Sequence, residues 1–367
     1  MNILYLMHVD WNWVKQRPHF IAEMIEKNSE HKVIVMYRMA YQKKLLVNNE
    51  CLLANRPLRI PKLPHSSKYK LILRINTFIE SIIVARKVKK CDVVYVTHPT
   101  FFPSIRKVKG KKIIYDCMDN ILGFPQSEKM KMRTNHYEKE LIKKSDITLF
   151  SASHLKKTVE KRTDFLFYSI VINNAINIPQ EINLSNIEPL KHSFARKSKK
   201  IISYIGTISE WFDYNLLIEI TQLNQSIIFY LFGPADARFP PNENIIFFGP
   251  QKHQDIFYIM NESDALIMPF QVNELIRSVN PVKMYEYIYS GKPVIAVKYE
   301  ESAPFENYAY LYDSKDINSL VGIFKILEEN NYKAKRTAEE SKQFALSNTW
   351  EKRVEELLKH FNSISKG

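Results

Sequence analysis

The residues best suited to chemistry lie in one stretch, 268–297, which reads MPFQVNELIRSVNPVKMYEYIYSGKPVIAV. Lys283, Glu286 and Tyr287 stand at positions i, i+3 and i+4, so a helix brings their side chains to one face. Free N–H groups at the start of a helix attract anions. The stretch therefore predicts a cation, a carboxylate and a phosphate-binding backbone in one corner. The alternative is an ordinary solvated Lys–Glu pair, which contributes about a few tenths of a kcal/mol.

The limits of this helix follow from the residues that flank it. Asn280 suits the N-cap, and Pro281 suits the first helical position because its missing N–H has no partner there. Gly291 tolerates the left-handed conformation that follows a helix, and Pro293 cannot continue one. We therefore predict a helix from Pro281 to Ser290, with a buried strand directly after it.

Short β-rich runs with little alternation recur along the chain, as expected for parallel strands that are buried on both faces. Helical patterns lie between them, which is typical of a doubly wound α/β fold. The predicted strands are 1–7, 32–37, 92–97, 111–115, 147–150, 165–172, 200–205, 226–232, 244–248, 264–268 and 293–297. The predicted helices are 18–27, 68–90, 135–144, 154–162, 214–223, 254–261, 281–290, 316–330 and 350–363.

A chain of 367 residues is too long for one ordinary core and suits two domains. The predicted division is an N-terminal Rossmann-like domain over 1–175, a linker over 176–198 that is rich in Asn, and a C-terminal domain over 199–349. The final helix, within 350–367, is predicted to pack back on the first domain. Two such domains in tandem would form a cleft at the carboxyl ends of their sheets, where ligands of open α/β folds bind.

Composition indicates a globular protein, with 45% hydrophobic and 25% charged residues. Cys51, Cys91 and Cys117 show no C-x-x-C spacing, which argues against a zinc site and a disulfide framework. Residues 1–7 lack the basic and apolar regions of a signal peptide, and no uncharged apolar run is long enough to span a bilayer. These features predict a cytoplasmic protein.

The net charge of +14 is concentrated in the first half of the chain. Residues 1–190 hold 32 of the 53 Lys and Arg but only 17 of the 39 Asp and Glu, so this half carries +15 and the remainder −1. Such asymmetry points to nucleic acid or to an anionic membrane face. The stretch 68–90 adds an apolar stripe between basic ends, namely Leu71, Ile75, Phe78, Ile79, Ile82 and Ile83. Either the stripe covers the sheet, or the helix lies in a membrane interface.

Three glycines follow predicted strands of the second half: Gly206 in YIGTIS, Gly233 in YLFGPAD and Gly249 in FFGPQ. A glycine at a strand end either forms a turn or lets a ligand phosphate approach the backbone.

The ordered set IGTIS, FYLFGP, NIIFFGP, DALIMPF and SVNPVKMYEYIYSGKPVIA resembles the donor domain of GT-B glycosyltransferases, especially the family 4-like enzymes of bacterial surface polysaccharide synthesis. The resemblance covers about residues 200–300 well, and extends more loosely to VINNAIN at 171–177 and TWEKRVEELL at 349–358. It implies two Rossmann-like domains that face each other across a cleft. The S-x-N-P-x-K pattern is also similar to xanthan-type glucuronosyltransferases, in which a Lys at this place serves the donor.

The resemblance implies specific roles at the donor site. Glu286 matches the Glu that binds the ribose hydroxyls, a role that suits a carboxylate with two acceptor oxygens. Ser278 stands where retaining members carry a second Glu that holds the donor sugar, so retention and inversion both remain open. The loop after Gly206 has no Arg or Lys, which leaves Arg277 and Lys283 as the cations for the diphosphate. Asn280 and Tyr285 complete the predicted donor site.

The first domain would bind the acceptor. His8, Trp11 and Trp13 follow the first strand, where they either contact sugar rings and hydroxyls or, for the two tryptophans, plug the fold. An inverting transfer also needs a general base near the acceptor hydroxyl. Asp119 is the preferred candidate, with Asp10 and His98 in reserve; each is alternatively a structural turn residue.

No D-x-D pair of the kind that holds a divalent ion is present, so we expect no cofactor and no metal. The sequence therefore predicts a metal-independent, hexosyltransferase-like enzyme that takes a sugar from a nucleotide diphosphate and adds it to a glycan, lipid-linked in our prediction. It would be cytoplasmic and held peripherally at the inner face of the membrane through its basic domain, with no nucleic-acid partner. The alternatives are a basic nucleic-acid-binding protein and a catalytically inactive GT-B module that binds glycan.

Overall fold

The computed structural model describes residues 1–39, 51–64, 69–178, 194, 199–236, 239–252 and 255–365, the last four of these by backbone only. The chain divides into two compact units. Unit 1 comprises residues 1–174 and 350–367, and unit 2 comprises residues 175–349. Most of the predicted linker, 176–198, lies outside the described residues and stays a prediction.

Unit 1 is built on a parallel sheet of seven strands within the described residues. They are β1 (Asn2–Met7), β2 (Lys32–Arg38), β3 (Leu58–Ile60), β4 (Val93–Val96), β5 (Lys112–Cys117), β6 (Ile147–Phe150) and β7 (Ser169–Val171). Their order is β3-β2-β1-β4-β5-β6-β7. The chain therefore winds outward in one direction from β1 and in the other from β4, which makes the boundary between these two strands the topological switch point.

Helices cover this sheet: α1 (Arg17–Lys27), α2 (Lys70–Val88), α3 (Phe102–Ile105), α4 (Glu128–Lys144), α5 (Ser153–Arg162) and the final helix, α12 (Trp350–Ser365). The helix α12 packs on α1, where the rings of Trp350 and Phe20 stack with their centroids 5.4 Å apart. The end of the chain thereby belongs to the same compact unit as its beginning.

Unit 2 repeats the scheme with six parallel strands among its described residues. They are β8 (Lys200–Ile205), β9 (Ile227–Phe232), β10 (Ile245–Gly249), β11 (Ala265–Met268), β12 (Val294–Val297) and β13 (Ala309–Tyr312). Their order, β10-β9-β8-β11-β12-β13, places the switch point between β8 and β11. The helices are α6 (Tyr214–Leu223), α7 (Ile256–Glu262), α8 (Glu274–Arg277), α9 (Val282–Tyr289), α10 (Ile317–Glu329) and α11 (Ala338–Leu346).

The predicted α/β class is confirmed, and most predicted elements lie within a few residues of the observed ones. The helix α9 starts differently from the prediction, because Asn280 does not cap it. Pro281 is the N-cap residue, and the buried Asn280 side chain lies 3.4 Å from the Tyr285 hydroxyl instead. The predicted end is right, since Gly291 adopts a φ of +71° directly after the helix.

The face of α2 that is buried is not the one that the apolar periodicity predicted. Its buried residues are Asn76, Glu80, Val84 and Val88. From the predicted apolar stripe, Leu71 is 68% exposed and Phe78 is 67% exposed, and Ile75 and Ile82 are also exposed. The expectation that the whole stripe covers the sheet is therefore wrong, although Ile79 and Ile83 are half-buried. None of the helices in the described ranges is long and apolar enough to cross a membrane.

Candidate functional site

The switch point of unit 2 lies at the ends of β8 and β11, and open α/β sheets bind ligands outside such strand ends. The loops that follow the two strands pair with each other. Phe212 and Phe270 form a bridge, and the Asp213 N–H donates to the Pro269 carbonyl at 2.8 Å. These contacts give the crevice a defined rim.

Two glycines bring the ends of β8 and β9 together. A Cβ atom on Gly233 would lie 1.9 Å from the Gly206 carbonyl oxygen, and Gly233 has a φ of +142°. The Gly206 N–H donates to the Phe232 carbonyl at 2.9 Å, so it is already engaged within the sheet. Gly206 therefore serves close packing of the backbone at this edge.

This packing yields a prediction for Gly233→Ala. A methyl group cannot fit at 1.9 Å from a backbone oxygen, so we expect the free energy of unfolding to fall by more than about 2 kcal/mol. Gly322→Ala, within α10, is the matched control: no atom lies within 4 Å of the added Cβ, and alanine is expected to stabilise that helix by about 0.5–1 kcal/mol. Chemical denaturation of both variants checks this. Equal stability of the two would contradict the packing.

A buried tyrosine fixes α9 against the end of β8. The hydroxyl of Tyr287 accepts a hydrogen bond from the Ile205 N–H at 2.8 Å and lies 3.3 Å from the Ile205 carbonyl oxygen. Because Glu286 precedes Tyr287 and Lys283 lies one turn earlier, both are positioned by the same contact. Lys283 Nζ and Glu286 Oε2 are 2.6 Å apart, with side chains 30% and 14% exposed. The predicted cation and carboxylate thus form an accessible pair at the β8 end.

Arg277, predicted to bind the diphosphate, is engaged with two carboxylates. It forms a bidentate ion pair with Glu300 and a second contact of 3.1 Å with Glu274. Its hydrogen bonds to Glu300, followed by the charge of that residue, raise the pKa of the guanidinium. Two acidic neighbours offset its positive charge, so Lys283 is the better placed of the two predicted cations.

Burial removes three other predicted donor residues from direct contact with a ligand. Ser278 is fully buried, and its hydroxyl donates to the Glu274 carbonyl at 2.9 Å. Asn280 is buried, and so is Tyr285, whose ring packs edge-on against Phe305 with centroids 5.0 Å apart. These contacts position the segment that leads into α9, and the predicted donor role of the three side chains stays a prediction.

The switch point of unit 1 carries a histidine pair. His8 follows β1 and His98 follows β4, with ring centroids 4.8 Å apart. Each Nδ1 lies within hydrogen-bonding distance of a threonine hydroxyl, at 2.8 Å for Thr97 and 2.7 Å for Thr100. Burial and then the charge of Arg38 lower the pKa of His8 to about 3. Burial also lowers the pKa of His98 well below its usual value, so both rings are neutral at physiological pH.

Asp119 lies just beyond β5, the neighbour of β4. Burial raises its pKa to about 6, an effect that Arg17 opposes and Asp116 reinforces. In the described part of the chain, no hydrogen bond or ion pair holds its carboxylate. A half-buried carboxylate with a pKa near neutrality suits a general base, which is the predicted role.

Asp116 has a structural role that the sequence did not reveal. It is fully buried and accepts two hydrogen bonds from the Arg17 Nε and Nη2 groups at 3.0–3.2 Å, and one from the Tyr95 hydroxyl at 2.9 Å. Arg17 also donates to the Ile172 carbonyl at 2.7 Å. This network ties β4, β5 and the start of α1 together beneath Asp119. An Arg before the helix-starting Pro was the only sequence signal for it.

Some side chains of the loop after β1 are buried, and others are partly exposed. Asp10 is buried and its Oδ1 accepts the Asn12 N–H at 3.0 Å, which is a turn-forming contact. Trp11 is 4% exposed and packs on His19 with centroids 5.1 Å apart, in agreement with the alternative that it plugs the fold. Trp13 is half-buried, which leaves it and His8 as the predicted acceptor residues that retain some surface.

Comparison with solved structures identifies the architecture. The chain matches sucrose-phosphate synthase of Thermosynechococcus elongatus over 100% of both chains, with 11% identity and a TM-score of 0.75. It matches Anabaena HepE, solved in complex with UDP-glucose, over 99% of this chain and 100% of that one, with 14% identity and a TM-score of 0.71. The chain has the GT-B fold of glycosyltransferases.

A curated relative agrees with the GT-B assignment. TuaH of Bacillus subtilis, a protein assigned to teichuronic acid biosynthesis as a glycosyltransferase, is 22% identical over 238 residues, which cover 60% of this chain. The chain spans 59% of the length of that relative. No protein-family model matches the chain. The predicted resemblance to GT-B glycosyltransferases is confirmed, whereas similarity to the xanthan-type enzymes stays a prediction.

No metal site is evident among the described residues. In the ranges described, no group of three or more His, Cys, Asp or Glu side chains could hold a metal ion. Metal independence stays a prediction.

Proposed function

We propose that the protein is a glycosyltransferase that moves a sugar from a nucleotide-diphosphate sugar to a glycan acceptor, lipid-linked, in cell-surface polysaccharide synthesis. The observation that carries this proposal is the Lys283–Glu286 pair, held by Tyr287 against the end of β8 in a GT-B fold. The assignment of TuaH to teichuronic acid biosynthesis and the UDP-glucose complex of HepE support it.

In this proposal Glu286 accepts hydrogen bonds from both ribose hydroxyls, and Lys283 neutralises charge on the diphosphate as it leaves. The ion pair between them keeps both side chains in place before the nucleotide arrives. Asp119 of unit 1 removes the proton from the acceptor hydroxyl, with Asp10 and His98 as the reserve candidates.

The donor is identified by a thermal-shift screen against nucleotide sugars and their free nucleoside diphosphates. A ligand that binds only the folded state raises the melting temperature by mass action, by an amount set by its concentration relative to Kd. We expect at least one nucleotide sugar to raise the melting temperature of the wild-type protein and to lose that effect in Glu286→Ala. No shift with any member of the panel would overturn the proposed function.

We also propose that unit 1 associates peripherally with an anionic membrane face on the cytoplasmic side. The exposed apolar side chains of α2, among them Leu71 and Phe78, have no cover within the described residues of the chain. Basic residues surround them, and each cation near an anionic lipid surface contributes about 1 kcal/mol.

Vesicle flotation tests this association. We expect the protein to float with vesicles that contain phosphatidylglycerol but not with neutral vesicles, and to release as salt is raised. The variant Phe78→Ser should float less. Leu166→Ser, which changes an even more exposed side chain of unit 1 outside α2, should float like the wild type. Flotation that is unaffected by Phe78→Ser would contradict the role of α2.

A further inference from the structure

A long groove runs along α2 in unit 1, bounded on its other side by α3, the loop before β5 and the start of α4. Its volume is about 1220 Å³, larger than a typical small-molecule site. It extends from Lys70 at one end of α2 to Lys89 at the other. The 19 residues of this helix give it a length of roughly 28 Å.

The charged residues that line the groove are all basic. Nine of its 22 lining residues are Lys or Arg, and none is Asp or Glu. In the described part of the chain, none of these nine cations forms an ion pair. The neighbouring Lys131 differs, since it pairs with Glu128 at 3.2 Å and does not line the groove. So many cations around one groove, with no carboxylate among its lining residues, favour an anionic ligand there.

The floor of the groove is apolar. Leu73, Phe78, Ile82 and Met130 contribute to it, and Phe78 is 67% exposed. Exposed apolar surface of this extent marks a binding site for an apolar group. A phosphate or sugar phosphate alone would leave this surface in water, so the groove favours a ligand that combines an anionic head with a long apolar chain.

Three cations at one end of the groove could hold the anionic head of such a ligand. Lys70, Lys129 and Arg133 meet where α4 begins, and contact with Lys70 lowers the pKa of Lys129, with Arg133 adding to the effect. The start of α4 follows β5 and Asp119, so this end of the groove lies at the carboxyl-end edge of the sheet. An anion between the three cations would relieve their mutual repulsion.

We infer that this groove binds a long-chain lipid phosphate or diphosphate, with its phosphate between Lys70, Lys129 and Arg133 and its chain along α2. The inference rests on the proposed function, for it gives the lipid-linked acceptor a place: the phosphate lies at the edge that carries Asp119, and the attached sugar extends toward that carboxylate. The exposed side of α2 would let the chain enter directly from a membrane.

The test is calorimetry with farnesyl diphosphate as the probe, in the presence of saturating UDP so that the diphosphate-binding part of the donor site is filled. We expect farnesyl diphosphate to bind at least about 100-fold more tightly than inorganic diphosphate, because its chain buries apolar surface. The double variant Lys129→Gln/Arg133→Gln should weaken binding roughly 25-fold. Lys131→Gln, on the same helix and outside the groove, should bind like the wild type.

Three results would overturn the groove assignment. Equal affinity for inorganic diphosphate would reduce the groove to a general anion site. Unchanged affinity in the double variant would place the lipid elsewhere. UDP binding measured in the same samples separates the two proposals: loss of UDP binding by the wild type refutes the proposed function, whereas intact UDP binding without farnesyl diphosphate binding refutes only the groove.

Discussion

Replacement of Glu286 by alanine is expected to weaken UDP binding roughly 100-fold or more, because the carboxylate accepts two ribose hydrogen bonds in the proposed site and each hydrogen bond to a charged group contributes about 1.5–3 kcal/mol. The side chain is partly exposed and, within the described residues, its one ion pair is with Lys283. Its removal leaves Tyr287 and the core contacts of α9 in place, so the fold should remain intact. Isothermal calorimetry with UDP measures the change.

The affinity for uridine, which lacks the diphosphate, distinguishes the role of Glu286 from that of Lys283. If Glu286 binds ribose and Lys283 binds the diphosphate, Glu286→Ala weakens both UDP and uridine, whereas Lys283→Ala weakens UDP only. The double variant should lose less than the two single losses combined, since the residues are in contact. The exposed pair Lys298 and Glu306, at 3.5 Å in the same unit, supplies matched alanine controls. Unchanged UDP affinity in both Lys283→Ala and Glu286→Ala would refute the site.

Local patterns were sufficient for the regular elements of the fold and for the helix that carries this pair. Buried parallel strands are continuous apolar runs, so β8 and β11 were evident from composition alone. The strands β3 and β13 were not predicted: β3 has only three residues, whereas β13 is as long as β11 and was missed although its residues are apolar. The helix α11 did have a signal, since Thr337 and Glu340 form a capping box that is visible as T-x-x-E.

The orientation of α2 depended on distant partners. Glu80 faces inward because Arg38, 42 residues away, donates to it at 2.8 and 2.9 Å. Asn76 faces inward because it exchanges two hydrogen bonds with the backbone of Leu63. Periodicity selects the apolar stripe of a helix as its buried face, and these polar contacts reverse that choice. No local pattern contains such information.

The candidate site shows the same limit. Residue type, spacing and the resemblance to GT-B glycosyltransferases selected Lys283, Glu286 and Asp119 as candidates, and their roles stay predictions. They did not show that Ser278 is buried or that two carboxylates already neutralise Arg277, because both facts depend on segments that approach only in the folded chain. Glu300, which pairs with Arg277, lies 23 residues further along the sequence.

Asp119→Asn is expected to lower the rate of sugar transfer by about 10²–10⁴-fold without a change in UDP affinity, since a positioned general base contributes about that factor. Hydrolysis of the nucleotide sugar selected by the thermal-shift screen, followed by NMR, is the readout, and it also shows which anomer forms first. In the wild type the rate should fall as the pH drops through about 6, where the carboxylate takes up a proton. A limb well below pH 6 would instead favour His98, whose pKa is lowered by burial.

The same substitution should stabilise the protein, which distinguishes a catalytic carboxylate from a structural one. The pKa of Asp119 is higher in the folded protein than its usual 3.8, so the folded state binds the proton more tightly and stability falls as the pH rises from 3.8 to about 6. Above that range the charged group destabilises the fold, by about 1–2 kcal/mol after allowance for solvent around a half-buried side chain. Asn removes this cost, so the variant should unfold at a higher denaturant concentration than the wild type at pH 7.5 and should lose this extra stability below pH 4.

Asp116→Asn is the control with the opposite sign, because it leaves Arg17 buried without its partner and should lower the free energy of unfolding by about 3–5 kcal/mol. An Asp119→Asn variant that is both less stable and fully active would assign this residue to the turn instead of the reaction.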